Sequence, residues 1–196
     1  MKALGGIIAV VVVIALVVGM FMVSTYNGLV KMDQDVKGKW AQVENQLKRR
    51  TDLIPNLVAT VKGFAAQEKS VIDSVTSARA KLAGATTPAA ASAANGELTT
   101  ALSRLLVVVE NYPQIKSDQT FRDLMFELSG TENRIAVARK DYNDSVQTFN
   151  TRVRTFPTNM VAGMLGFSAA EFFEVTEADK ELPKVDFSTT PATSTP

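Results

Sequence analysis

Two hydrophobic patterns divide the chain. Residues Ala3–Val23 form an apolar run of 21 residues without a charge. A helix needs roughly 20 such residues to cross the hydrocarbon core of a bilayer, so this run predicts a transmembrane anchor over residues 1–25. From Leu29 onward, apolar residues recur at spacings of three and four, which is typical of amphipathic helices that share a core.

A cleaved signal peptide and a buried core helix are the alternatives for the first segment. The apolar stretch of a signal peptide is about 7–15 residues long and leads to a small-x-small cleavage site. Here the run is longer and continues into Met20–Tyr26 without such a site. A soluble domain of this size rarely surrounds so long an apolar helix on every side. The sequence therefore favours an uncleaved anchor.

The first two water-facing helices are predicted to meet near residue 50. The first ends at Lys48-Arg49-Arg50, where cations favour a helix C-terminus; an anionic-lipid or nucleic-acid patch is the other interpretation of this cluster. Asp52, Pro55 and Asn56 are predicted to form the turn, because aspartate caps helices and a first turn tolerates proline. The two apolar stripes comprise Leu29, Met32, Val36, Trp40, Val43 and Leu47, then Leu57, Val61, Phe64, Glu68, Val71, Val75, Ala78 and Leu82.

Two more helices are predicted after a loop over residues 84–96, which is rich in Ala, Thr, Ser and Pro. The third covers about 97–112, and Asp118 caps the fourth. No strand-like alternation persists, so we expect an all-α fold: an antiparallel up-and-down four-helix bundle over 26–157, continuous with the anchor. The stripe of the fourth helix comprises Phe121, Leu124, Leu128, Thr131, Ile135, Ala138, Tyr142, Val146, Phe149, Val153 and Phe156.

An apolar segment over residues 158–175 follows the bundle. Since the fourth helix runs back towards the anchor, this segment is expected near the bilayer surface, where it would lie at the interface or in the groove of a partner. The alternative is that it folds back over the open end of the bundle. Residues 176–196 are polar and predicted to be disordered. The candidate membrane contacts are Tyr26, Met160, Met164, Leu165, Phe167, Phe172 and Phe173.

Composition removes several classes of chemistry. The chain has no cysteine and no histidine, which excludes thiol nucleophiles, His-based triads and the usual zinc sites. Beyond Lys2 it carries 20 basic and 20 acidic residues, a balance that does not suggest nucleic acid as a partner. We predict no catalytic residue, cofactor or metal. The remaining enzymatic alternative is an acid–base pair of Glu68 and Glu132, although such carboxylates more often pair with arginines, here Arg79 or Arg139.

Orientation follows the distribution of lysines. Lys2 precedes the anchor, whereas Lys31, Lys37 and Lys39 follow it. Because the flank richer in Lys and Arg stays inside, the balance favours a bundle on the cytoplasmic side of a bacterial inner membrane, with the N-terminus outside. A signal-anchor interpretation would invert this orientation.

Several motifs along the chain are familiar as a set. They are Tyr26-Asn27-x-Leu29-Val30, Trp40, Leu47-Lys-Arg-Arg-x-Asp52-Leu-Ile-Pro55-Asn56-Leu-Val58, Tyr112-Pro113, Phe121, Glu132, Arg139-x-x-Tyr142-Asn143-x-x-Val146, Pro157-x-Asn159 and Gly166-Phe167. Over about residues 1–175 these motifs resemble the LemA family. The resemblance implies a bromodomain-like up-and-down four-helix bundle with a single-pass anchor and an outside N-terminus. It implies no particular reaction; relatives in magnetosome membranes suggest membrane organisation or partner scaffolding.

The expected function is a non-catalytic, membrane-anchored interaction or assembly scaffold. Its expected partners are the bilayer, an unknown membrane or cytoplasmic protein, and a second copy of the chain. The alternative is membrane-surface remodelling or lipid contact through Met160–Phe173. Tyr142 is expected in the core, but Tyr142, Asn143 and Asn150 could instead form a recognition face.

Overall fold

The computed structural model describes residues 2–174, with side chains from Gly6 onward; the predicted disordered tail at 176–196 lies outside the described residues. The described part of the chain is helical and contains no strand, which confirms the all-α prediction and the long apolar N-terminal helix. The helices are α1 (Lys2–Phe64), α2 (Lys69–Ala83), α3 (Pro88–Val109), α4 (Pro113–Ser117), α5 (Gln119–Arg154) and α6 (Thr158–Met164).

Helices α1 and α5 form an antiparallel pair. The Trp40 and Tyr142 rings lie 5.3 Å apart, and further along α1 Arg49 Nη2 lies 2.7 Å from Glu127 Oε2. Helix α2 packs on both α1 and α3. The apolar stripe of α5 is buried from Phe121 to Val153 as predicted. The C-terminus of α5 therefore returns to the membrane end of α1.

The turn predicted at Asp52, Pro55 and Asn56 is wrong, because α1 continues through Pro55 to Phe64. A proline inside a helix lacks the N–H that would bond the carbonyl four residues earlier, here the carbonyl of Thr51. The Nε of Arg79 on α2 donates to that oxygen at 2.9 Å. The tertiary donor replaces the missing one, so the helix persists.

Moving the turn changes the assignments around it. The chain reverses at residues 65–68, so Phe64 is exposed rather than inward. Ile72 is fully buried, whereas Val71 is partly buried against the core. Lys48-Arg49-Arg50 lies in mid-helix, so its assignment to a helix C-terminus is also wrong.

The loop predicted at 84–96 is wrong over most of its length. Helix α3 already begins at Pro88, and the Thr87 Oγ1 accepts a hydrogen bond from the Ala90 amide at 3.2 Å. Alanine has the highest helix propensity, and Ala91 and Ala94 are buried. In contrast, the Asp118 cap is confirmed, since its Oδ1 accepts from the Phe121 amide at 2.9 Å.

The Arg79–Thr51 contact gives a testable coupling. We expect Arg79→Met to lower the free energy of unfolding by about 1–2 kcal/mol, because it leaves a buried carbonyl without a donor. In a Pro55→Ala background the restored N–H at position 55 donates to the Thr51 carbonyl. Arg79→Met should then lower the free energy of unfolding by less than half as much as in the wild type. Trp40, the sole tryptophan, reports denaturant unfolding of the full-length protein in detergent. Equal costs in both backgrounds would contradict the exchange of donors.

Candidate functional site

The strap, defined as residues 167–174, runs back along α5. Asn143 binds the backbone of Phe173 in both directions: its Nδ2 donates to the carbonyl and its Oδ1 accepts from the amide, each at 2.9 Å. Asn150 binds Ala170 in the same way, at 2.9 and 2.7 Å. The two asparagines are two helical turns apart and therefore share a face of α5. Their side chains supply the hydrogen bonds that a neighbouring strand would otherwise provide.

An aromatic cluster holds the end of the strap. The Phe173 ring lies 6.3 Å from Trp40 and is only 1% exposed. The Tyr142 hydroxyl donates to the Glu171 carbonyl at 2.7 Å. Burial, followed by the Glu171 charge, raises the pKa of the Tyr142 phenol above its ordinary value. Tyr142, Asn143 and Asn150 thus bind the chain's own C-terminal segment; recognition of another molecule by them stays a prediction.

The apolar segment around α6 is divided between two environments. Val161 and Ala162 are buried, and the Phe167 ring lies 6.2 Å from Tyr26 and 6.4 Å from Phe149. The fold-back alternative therefore holds for the strap and the inner side of α6, which pack onto the bundle, whereas contact of this segment with lipid or with a partner stays a prediction. Four large apolar side chains around α6 remain exposed: Phe156, Met160, Met164 and Leu165. Phe172 in the strap is half-exposed.

Arg50 is a buried cation at the centre of the helices. Its guanidinium forms an ion pair with Glu132 on α5 and donates to Asn95 Oδ1 at 2.6 Å and Thr99 Oγ1 at 3.1 Å on α3. Burial lowers the pKa of Arg50 from its ordinary value, and the Glu132 charge opposes this shift. Because arginine remains charged at neutral pH, Arg50 joins α1, α3 and α5 electrostatically.

The two carboxylates of the enzymatic alternative are engaged separately. Glu68 accepts from the Tyr112 hydroxyl at 3.0 Å, and this hydrogen bond raises the pKa of Tyr112. Glu132 pairs with Arg50 in the middle of α5, whereas Glu68 precedes α2 at the far turn. Their placement does not favour an acid–base pair. Within residues 2–174 no group of three or more Asp, Glu, His or Cys side chains could hold a metal ion.

The outer face is the surface of the α1–α5 pair around Phe126 and Val137. These side chains are 78% and 63% exposed, and they lie three helical turns apart on one side of α5. The Gln46 Oε1 is buried without a hydrogen-bond partner. An open cavity of about 460 Å³ beside Val137 is lined by Gln42, Asn45, Gln46, Asn133, Arg134, Val137, Ala138 and Asp141.

One helix in the described part of the chain is long and apolar enough to cross a membrane, by length and composition. Together with the packed helices it indicates a membrane-associated protein whose described residues form helices and no strand. The family model described as the LemA family matches residues 39–187, and the chain belongs to this family.

The proteins similar to this chain include magnetosome proteins and a protein named LemA. Magnetosome protein MamQ 2 of Paramagnetospirillum magneticum is 31% identical, with 86% of this chain and 71% of the relative covered. Magnetosome protein MamQ of Magnetospirillum gryphiswaldense is 29% identical, covering 76% and 64%. Protein LemA of Metamycoplasma hominis is 23% identical, covering 84% and 77%.

Proposed function

We propose that this protein is a non-catalytic scaffold, a membrane-anchored helical bundle that binds a partner protein or a second copy through its outer face. The observation that carries the proposal is the pairing of exposed Phe126 and Val137 with a Gln46 oxygen that lacks a partner. Two exposed apolar side chains on one side of α5, with Val137 beside the unpaired Gln46 oxygen, fit a surface that another helix covers.

The architecture supports this role. Helix α1 carries the apolar anchor and the bundle core without interruption over 63 residues, so the bundle cannot rotate independently of the anchor. Val137 lies near the level of Gln46 on α1, which is roughly 35 Å beyond the apolar run at 1.5 Å per residue. The proposal follows the lysine balance in placing this face on the cytoplasmic side, with the N-terminus outside.

The test is crosslinking of the full-length protein in native membranes, followed by size analysis and mass spectrometry. We expect a recurrent partner or a self-ladder, lost in the double variant Phe126→Asp/Val137→Asp because buried carboxylates would break an apolar contact. Val107→Asp is the matched control, since Val107 is equally exposed but lies on α3. Unchanged crosslinks in the double variant, or a lone monomer in the wild type, would contradict the proposal.

A further inference from the structure

We infer that the foot, defined as Phe156, Met160, Met164 and Leu165, inserts among the lipids of the leaflet beside the anchor. These side chains surround α6, which packs against α1. This inference is independent of the outer face and of any protein partner. It assigns a second membrane contact to a chain whose described residues contain one candidate span.

The position of α6 along α1 sets the depth of the foot. The apolar run of α1 ends at Val23, and Thr25, two residues later, is only 4% exposed. Tyr26 contacts Phe167, which follows α6 closely. At 1.5 Å per residue these contacts lie within about one helical turn of the end of the apolar run. The foot is therefore level with the boundary between hydrocarbon and headgroups.

The side chains of the foot suit that boundary. Between Arg154 and Glu171 the chain carries no charge, and α6 turns Val161 and Ala162 inward while Met160 and Met164 face out. An apolar helix face held at this depth gains free energy by displacing interfacial water. The last turn of α5, which precedes the foot, carries the exposed Arg152 and Arg154. From there their guanidinium groups can reach lipid phosphates while their methylene stems lie along apolar surface.

A foot on one side of the anchor makes the membrane contact asymmetric. A single span can tilt and rotate in the bilayer, and interfacial anchors restrict both motions. Because α6 is joined to α5 and packs on α1, insertion of the foot fixes which side of the bundle faces the membrane. The outer face is then presented at a defined angle.

Single-cysteine labelling can test the insertion cleanly, since the natural chain has no cysteine. The full-length variant Met164→Cys carries an environment-sensitive fluorophore and is reconstituted into vesicles of phosphatidylcholine and phosphatidylglycerol. Val107→Cys is the matched control, because both positions are strongly exposed on helices, at 75% and 65%, and Val107 lies on α3 outside the outer face. Quenching by nitroxide-labelled lipid is compared with quenching by aqueous iodide.

We expect the label at position 164 to be quenched several-fold more by nitroxide lipid than the label at position 107, and several-fold less by iodide. Equal iodide quenching at the two positions would overturn the inference. A position-164 label that is shielded in native membranes but open to iodide in the purified vesicles would also overturn it, because a protein partner and not lipid would then cover the foot.

Discussion

Replacing Arg50 with methionine is expected to lower the free energy of unfolding by about 3 kcal/mol, the lower part of the range for breaking one side of a buried ion pair. Methionine keeps most of the buried stem volume but removes the donors to Asn95 and Thr99. Those buried acceptors then lack partners. The Glu132 side chain is 44% exposed, so water can hydrate the carboxylate that remains. This hydration keeps the loss in the free energy of unfolding at the lower part of that range.

The neighbouring arginine supplies the control. Arg49 also pairs with a glutamate of α5, but both partners are substantially exposed, at 53% and 40%. Exposed ion pairs contribute only about 0–1 kcal/mol, so Arg49→Met should change stability little. Denaturant unfolding of the full-length protein in detergent, followed by Trp40 fluorescence, measures both variants. Equal losses for Arg49→Met and Arg50→Met would show that burial of the Arg50 pair does not matter.

The periodic parts of the fold could be predicted from sequence because periodicity reports burial directly. The stripe of α5 is buried from Phe121 to Val153, and the cap at Asp118 is a local contact between residues three apart. Pro55 shows where local rules fail. Its usual effect is to end a helix, and only Arg79, 28 positions later than Thr51 in the chain, reverses that outcome.

The roles of the site residues also depend on contacts that are distant in the sequence, so local patterns do not predict them. Arg50 continues the spacing of Val43 and Leu47, so periodicity alone would place it inward; its charge, within a basic triplet, favoured a helix end instead. Asn143 and Asn150 bind backbone 20–30 residues away. Such amide-to-backbone contacts do not depend on the partner's side chains, so no sequence pattern marks them.

Phe173→Ala is expected to release the strap and to lower the free energy of unfolding by about 3 kcal/mol, the lower end of the range for truncating a buried phenylalanine to alanine. Phe173 is 1% exposed against Trp40, and its amide and carbonyl are the groups bound by Asn143. Losing the ring removes the apolar contact that positions those two hydrogen bonds. The loss cannot exceed the free energy of strap docking, because a released strap no longer contributes to the bundle.

Hydrogen exchange and Trp40 emission of the full-length protein separate release of the strap from general destabilisation. In Phe173→Ala we expect faster exchange at the Ala170 and Phe173-position amides, which Asn150 and Asn143 accept from in the wild type, and a red shift of Trp40 as water reaches it. Phe172→Ala is the control, since its adjacent ring is 43% exposed, and both signals should stay near wild type. If both signals stayed near wild type in Phe173→Ala as well as in Phe172→Ala, the hydrogen bonds to the strap backbone alone would hold it. A selective response to Phe173→Ala would instead show that one aromatic side chain keeps the strap on α5.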